Sequence, residues 1–442
     1  MTHIAVIGGG IAGLAATRRL ALAGAQVTLF EASDRLGGMI QPGRIDNLTF
    51  DIGAEAFAVR GGAVAALATE LGLGDDLVAP RTLGSWAHGA AGGYRLPGGG
   101  LVGIPSALES EAVDPALEAA IGAEGVASVH AEAALDPAIG ADAGSLAELI
   151  RARYGDTVLE RLVAPVVRGV YSLDPDVVDH RVLVPQLARR LGQHGSLGAA
   201  VASLRAAAPA GALVNTVRGG MHRLVAALVA ETARLGVEVR LGESMHVDDA
   251  RLARFNGTLV TVGSALGDTA EPISAEVVAM LVDAPELDAH PRGTGLLVAD
   301  AREVEAKALT HATAKWPWLA EAAGAGRHLL RLSYGARPGA SAARTLELSD
   351  GELRTRALAD ATTLLGTPLP ERQVVGLARQ HWRIPAPSAR LGRPAELAAL
   401  RERIANTPRL EAAGTWIDGT GLALVIPAVD RAVERLLAAK VS

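Results

Sequence analysis

Residues 2–38 read THIAVIGGGIAGLAATRRLALAGAQVTLFEASDRLGG. Residues 4–7 are a short apolar run, suited to a strand buried on both faces. Gly8, Gly10 and Gly13 follow at the G-x-G-x-x-G spacing, with Gly9 between them. The first glycine allows the tight turn, the second lets a pyrophosphate approach the backbone, and the third lets a helix pack against the strand. From Ile11 and Ala12 to residue 23 the apolar residues recur at helical spacing, and Gly24 stops the run. The N-terminus of such a helix offers free N–H groups and a positive dipole end to phosphate. Residues 27–30 read as a second strand, and Glu31 stands 18 residues after Gly13. A carboxylate there can accept both hydroxyls of an adenosine ribose and would repel a 2′-phosphate. Strand, turn, helix, strand and acid fall in the order that a dinucleotide needs.

The next residues separate one dinucleotide from another. Glu31 and Ala32 are followed by Arg35, Gly37 and Gly38, an E-x-x-x-R-x-G-G pattern. An arginine just past the ribose acid can reach a pyrophosphate with charge-assisted bonds. The paired glycines let the chain run close along an extended cofactor, and the whole pattern resembles that of the FAD-binding amine-oxidase superfamily, which implies FAD and not a nicotinamide dinucleotide.

The bulk numbers bound the rest. At 442 residues, with 49 % apolar residues, the chain implies two or three domains with a large core. A net charge of −6 and 3 % aromatic residues argue against a nucleic-acid partner. The absence of cysteine removes disulfides, thiolate metal sites and a cysteinyl flavin linkage, and any FAD is expected to be non-covalent. It also suits a cytoplasmic location. No apolar run is long enough to span a bilayer. The 11 histidines show no ligand spacing, so no metal is expected.

Alternating strand-like and helical segments indicate an α/β architecture. Residues 1–85, 211–255 and 380–442 are expected to build the dinucleotide domain. Residues 105–210 are Ala- and Leu-rich and helical, with 114–143 the least patterned part and expected to be mobile. Residues 86–97 suggest a hairpin. Residues 256–379 carry β-rich runs, GTLVTVG, AEVVAMLVD, GTGLLVAD and HLLRLSYG, expected to form an antiparallel sheet in a substrate domain. The tail, GTWIDGTGLALVIPAVDRAVERLL from Gly414, returns to the cofactor. Gly419 and Gly421 precede a helix whose positive end could face the flavin ring.

The N-terminal unit resembles the FAD-binding amine-oxidase superfamily. Arg168–Asp176 (RGVYSLDPD), Asn215–Leu224 (NTVRGGMHRL), KWPWL from Lys315, RLSYG from Arg331 and the Gly103-Ile104-Pro105 turn resemble, in their order, the bacterial coproporphyrinogen III oxidase and protoporphyrinogen oxidase family. The likeness implies a Rossmann-type FAD-binding domain of the amine-oxidase and glutathione-reductase kind, an antiparallel substrate domain and a helical insertion. It places Gly53, Ala54, Glu55 and Ala56 at a turn beside the flavin and Met245 at the adenine. It sets Trp382 near the ring, and Gly421 and Leu422 at the helix entry. The family pattern after the tryptophan is changed here to Pro387-Ser388-Ala389, and its Gly-Ile-Pro to Gly421-Leu422-Ala423.

The resemblance implies oxidation of a porphyrinogen, coproporphyrinogen III above all, with O2 as acceptor, in haem biosynthesis by a monomer or homodimer. Peripheral membrane contact through residues 105–210 stays open. Growing conjugation drives that reaction, so no catalytic acid or base is assigned. A flat apolar slot and cations for propionates are required, and Arg168, Gly169, Tyr171, Lys315 and Arg331 are the candidates. The alternatives are a flavin amine oxidase, a carotenoid-type desaturase, or a relative that keeps FAD for structure alone.

Overall fold

The opening run forms the strand His3–Ile7, buried in all but its first residue. Gly8 turns the chain at φ 103°, and the helix Ile11–Leu22 begins. The chain is described by a computed structural model over residues 2–107, 114–206, 213–335 and 344–438. The expected boundary at 210–211 lies outside the described residues.

The strand Gln26–Glu31 runs parallel to the opening strand, with His3 opposite Gln26 and Ile7 opposite Phe30. Glu238–Leu241 extends the sheet on that side, and Gly257–Val260 then Leu410–Ala412 extend it on the other. All five strands are parallel, so both faces need cover. One face is covered by the helices Ile11–Leu22, His222–Arg234 and Leu422–Ala438, whose Leu14, Leu228 and Val429 are fully buried in one core. The other is covered by Phe255, Leu397 and Trp416 packed under Phe30. Each such side chain contributes about 1.5–3 kcal/mol. Strands lie on both sides of the opening strand, which puts the glycine turn at the crevice where open α/β sheets bind ligands.

A second sheet has seven strands in the order Val374–Ile384, Ile273–Asp283, Arg327–Gly335, Ala308–His311, Gly295–Val298, Trp86–Gly89 and Gly92–Arg95. Three expectations are corrected here. The run GTLVTVG, placed with this sheet from sequence, supplies the strand Gly257–Val260 of the first sheet instead. Residues 380–384, placed with the first sheet, end a long strand of the second. The hairpin of residues 86–95 forms, but it joins the second sheet through Trp86–Gly89, which runs parallel to Gly295–Val298. The sheet is therefore mixed, not purely antiparallel.

Helices occupy most of 114–206, including much of 114–143, the part with the weakest sequence pattern. The helix Pro115–Ala131 starts on an Asp114 side-chain cap and buries Leu117, Ala120 and Ile121. Its small residues give almost no apolar-polar contrast, which hid it from periodicity. Two π-helical turns follow, Leu159–Val163 and Val167–Tyr171. Among the described residues no helix is long and apolar enough to cross a membrane.

Inside the second sheet a chain of polar groups runs from surface to core. Asp288 accepts from His328 Nε2 at 3.1 Å, and His328 Nδ1 pairs with His311 Nε2 at 2.8 Å. His311 is 0 % exposed and His328 3 %. Burial pushes both imidazoles below the ordinary histidine range, with Asp288 opposing this at His328 and the neighbouring cation Arg81 adding to it at His311. The unfolded chain therefore takes up protons below about pH 6.5 that the fold refuses. Stability is expected to be full above that pH. It should fall as pH drops below it, by up to about 1.4 kcal/mol per pH unit for each histidine kept neutral. Thermal melts from pH 7.5 to 5.5 check this. A slope that His311→Gln leaves unchanged would refute it. No three described His, Asp or Glu side chains are arranged to hold a metal ion.

Candidate functional site

The glycine turn is built by backbone packed on backbone. A methyl on Gly13 would lie 1.7 Å from the Gly8 carbonyl oxygen, so only hydrogen lets the opening helix sit this close to its strand. Thr261 braces the turn from below, its hydroxyl donating to the carbonyls of Ile7 and Gly8 at 2.9 and 3.0 Å. Gly10 is the opposite case. A methyl there would meet nothing nearer than Gly38 Cα at 3.9 Å. The protein leaves room above Gly10 that its own packing does not use. No side chain caps the helix at Gly10 and no acid lies in its first turn, so the N–H groups of Ile11, Ala12 and Gly13 have no intrahelical acceptor. This is the cradle a pyrophosphate requires.

Glu31 stands at the end of the second strand, beside the glycine turn. One carboxylate oxygen accepts the Gly9 N–H at 2.7 Å and the other accepts the Ser33 N–H and hydroxyl at 2.8 Å. Ala32 follows it at the surface. Arg35 donates to the Gly38 carbonyl at 2.9 Å, and Gly37 bonds back to the Gly9 carbonyl at 2.8 Å. The two glycine segments thus lie side by side. Met245 follows Glu243, whose N–H bonds the Glu31 carbonyl at 3.0 Å, and its side chain is buried with Phe30. Its backbone is therefore carried to the end of the second strand.

The far end of the groove joins segments hundreds of residues apart. A methyl on Gly53 would stand 1.9 Å from the Met39 carbonyl and 3.1 Å from the Trp382 ring, so Gly53 and Trp382 are brought face to face. Ala54 bonds Met39 and Ala56 packs in the same cluster as Trp382. Gly414 lies beside Thr261, under the glycine turn, with its N–H on Asp418 at 2.8 Å. Gly421, at φ 113°, has nothing within 4 Å of a built methyl, and Leu422 opens the long tail helix with no acid in its first turn. The residues fit an extended dinucleotide, with the tail helix pointing its positive end across open space.

Glu55, Lys315 and Arg331 form one cluster. Lys315 donates to Glu55 at 2.7 Å, Arg331 pairs with the other carboxylate oxygen, and Arg331 also donates to the Gly53 carbonyl at 2.7 Å. Burial pushes the Glu55 carboxyl up, but the two cations outweigh it and hold it at about 2. The arrangement locks the 52–56 turn beside the groove. It also commits Lys315 and Arg331, expected to meet propionates, to a carboxylate of the protein itself. Arg168 is committed likewise, to Asp174 at 3.0 Å and Glu160 at 3.1 Å. A methyl on Gly169 would touch Leu297 at 2.5 Å. Tyr171 ends the π-helical turn, its hydroxyl raised by burial against the pull of Arg60.

Where the helices meet one end of the second sheet, a cleft of about 990 Å³ opens between Arg168, Leu173, Ile273, Val298 and Pro387. Sequence reading missed two residues here. Lys307 reaches into this cleft from the strand-edge loop and donates to the Ser172 hydroxyl. Arg161 lines it from the first π-helical turn. Neither sits in a motif; a charged residue in ordinary helix or loop sequence carries no signal of which cavity it will face. Thr261 was missed for a different reason, since its strand was placed in the wrong sheet.

The model of the flavin containing amine oxidoreductase family matches residues 11–263. The coproporphyrinogen III oxidase of Mycobacterium tuberculosis is 31% identical over 98% of this chain and 97% of its own length. That of Staphylococcus aureus is 25% identical over 98% of this chain and 99% of its own. The crystal structure of a putative protoporphyrinogen oxidase from Exiguobacterium superposes with a TM-score of 0.79 at 24% identity, covering 99% of both chains. With a family model matched over more than half of its length and a relative 31% identical over nearly all of it, this protein belongs to the flavin containing amine oxidoreductases and, among them, to the coproporphyrinogen III oxidase and protoporphyrinogen oxidase family.

Proposed function

We propose that this chain is a cytoplasmic, FAD-dependent porphyrinogen oxidase that converts coproporphyrinogen III to coproporphyrin III with O2 as electron acceptor. The observation that carries the reading is the joint presence of the dinucleotide cradle and a separate cleft of about 990 Å³. That volume is at the upper end for small-molecule pockets, about 300–1,000 Å³, as a tetrapyrrole demands. The names of relatives matched over nearly their whole length support the same substrate. Bound FAD would accept the hydride equivalents withdrawn from the macrocycle and return them to O2 as hydrogen peroxide.

The rest is the work of side chains. Gly8 to Gly13, Glu31 and Arg35 would grip the adenosine diphosphate portion. The Glu55–Arg331 pair holds the 52–56 turn rigid at the ring. Trp382, 8 % exposed, shields that end from water. The tail helix would stabilise negative charge developing on the reduced ring. The protons leave from pyrrole nitrogens or, by tautomerisation, from a meso carbon as conjugation grows, so the site needs orientation and dryness more than a strong base.

Anaerobic mixing of flavin-loaded protein with coproporphyrinogen III is the test. Rapid loss of the flavin absorption band, with coproporphyrin fluorescence appearing, is expected. A band that survives porphyrinogen but bleaches with a primary amine would replace this reading with amine oxidation.

A further inference from the structure

Four cations line the large cleft, and they fall into two kinds. Arg168 is answered by Asp174 and Glu160, and Arg390 by Glu396. Lys307 and Arg161 have no carboxylate partner among the described residues. Of the other acids lining the cleft, Asp300 is engaged by Arg302, Glu305 faces Arg344 and Arg356, and Glu271 makes no ion pair with either cation.

Lys307 is held in place by backbone. Its N–H bonds the Ser333 carbonyl at 2.8 Å and its carbonyl accepts from Val298 at 3.0 Å, so the side chain leaves from a fixed sheet end. Among the described residues the ammonium meets only the hydroxyl of Ser172, which stands at φ 55° just past the second π-helical turn. Burial without a compensating anion pulls that ammonium down to about 8. Arg161 lies with its guanidinium 4.8 Å over the Tyr94 ring, and its Nε is buried with no acceptor. Ammonium and guanidinium groups desolvated in this way are costly unless an anion arrives. Retaining two at one cleft indicates that the missing anions come with the ligand.

We propose that Lys307 and Arg161 form a carboxylate subsite of this cleft that receives peripheral carboxylates of the substrate. Resting on the porphyrinogen-oxidase reading, it assigns the anchoring to these two residues, not to Lys315, Arg331 and Arg168, whose charges are already met. Ser172 acts as a placeholder acceptor, giving up Lys307 when a carboxylate enters.

The test uses the full-length, flavin-loaded protein and two readouts. In binding titrations with coproporphyrin III, which need no turnover, Lys307→Met and Arg161→Gln are each expected to weaken affinity roughly tenfold to a hundredfold, the loss of one charged hydrogen bond. In turnover of coproporphyrinogen III the same loss is expected in KM, with kcat within about twofold. Wild-type KM should rise above pH 8 as the Lys307 ammonium gives up its proton. Lys307→Arg, whose charge does not titrate, should keep affinity and remove that alkaline limb. An intact flavin spectrum in each variant guards against misfolding, and Lys307→Arg reports separately if Lys307→Met fails to fold. Equal coproporphyrin III affinity in the wild type, Lys307→Met and Arg161→Gln would overturn the subsite while leaving the oxidase reading standing. Absent turnover with the binding losses intact would do the reverse.

Discussion

Gly10→Ala is expected to produce a protein that folds as well as the parent and has lost its flavin. The backbone at Gly10 is extended, φ −71° and ψ −176°, which alanine adopts without strain. The new methyl would find its nearest neighbour, Gly38 Cα, at 3.9 Å, an ordinary contact. Restricting the unfolded chain should even add about 0.4–1 kcal/mol. The methyl instead occupies the room left for a pyrophosphate, where crowding of about 1–3 kcal/mol corresponds to roughly a tenfold to hundredfold loss of FAD affinity. Gly13→Ala separates the two kinds of glycine. Its methyl would strike the Gly8 carbonyl at 1.7 Å, so this variant should lose stability first and flavin as a consequence. Urea denaturation of the apoproteins and reconstitution with FAD, followed by flavin absorption, measure both effects. Gly10→Ala that stays yellow with parental affinity would mean that the space above Gly10 is not where a diphosphate lies.

That contrast marks what the sequence can say. The opening unit was legible because all its determinants are local: strand, turn, helix and acid lie within one stretch, and each glycine has a fixed task. Sheet membership was not legible in the same way. GTLVTV reads as strand, but the alternation is the same whether its neighbour is His3–Ile7 or the strands of the second sheet. Only pairing across 253 residues decides that, as the Asn256 side chain does in accepting from the His3 N–H. The site cations show the same limit at the level of charge. Lys315 and Arg331 stand as candidate propionate anchors in the sequence because their partner, Glu55, is 260 and 276 residues away. Once paired they stop being substrate anchors and become the clamp on the 52–56 turn. Lys307, which no motif marks, is left with the unmet charge.

Glu132→Ala is expected to cost about 3–5 kcal/mol of unfolding free energy, the cost of leaving a buried cation unanswered. Arg153 is 0 % exposed at its side chain and Glu132 2 %. One Glu132 oxygen accepts from Arg153 Nε and the Leu197 N–H, and the other accepts the Gly198 N–H at 3.1 Å. The carboxylate thus sits at the start of the helix Leu197–Ala206, where its charge also complements the dipole. Arg153 spends its remaining reach on the carbonyls of Asp136 and Ile139, at 3.2 and 3.0 Å. One ion pair therefore ties four segments of the helical region together inside an apolar shell of Leu146, Ile150 and Leu197. Removing the acid strands the guanidinium and two helix N–H groups at once. Removing both partners in favour of similar volume, Glu132→Leu with Arg153→Met, should recover much of the loss, because the desolvation cost goes with the charges. The functional consequence follows from position. The helical region carries Arg161, Arg168 and Ser172 to the cleft but none of the glycine cradle. Glu132→Ala should therefore weaken coproporphyrin III binding while FAD stays bound, at temperatures where the helices loosen and the parallel sheet holds. Chemical denaturation followed by both flavin absorption and circular dichroism reads the two events. A single transition displaced by less than about 1 kcal/mol would show that the pair is no better than a surface salt bridge and does not fasten the cleft wall.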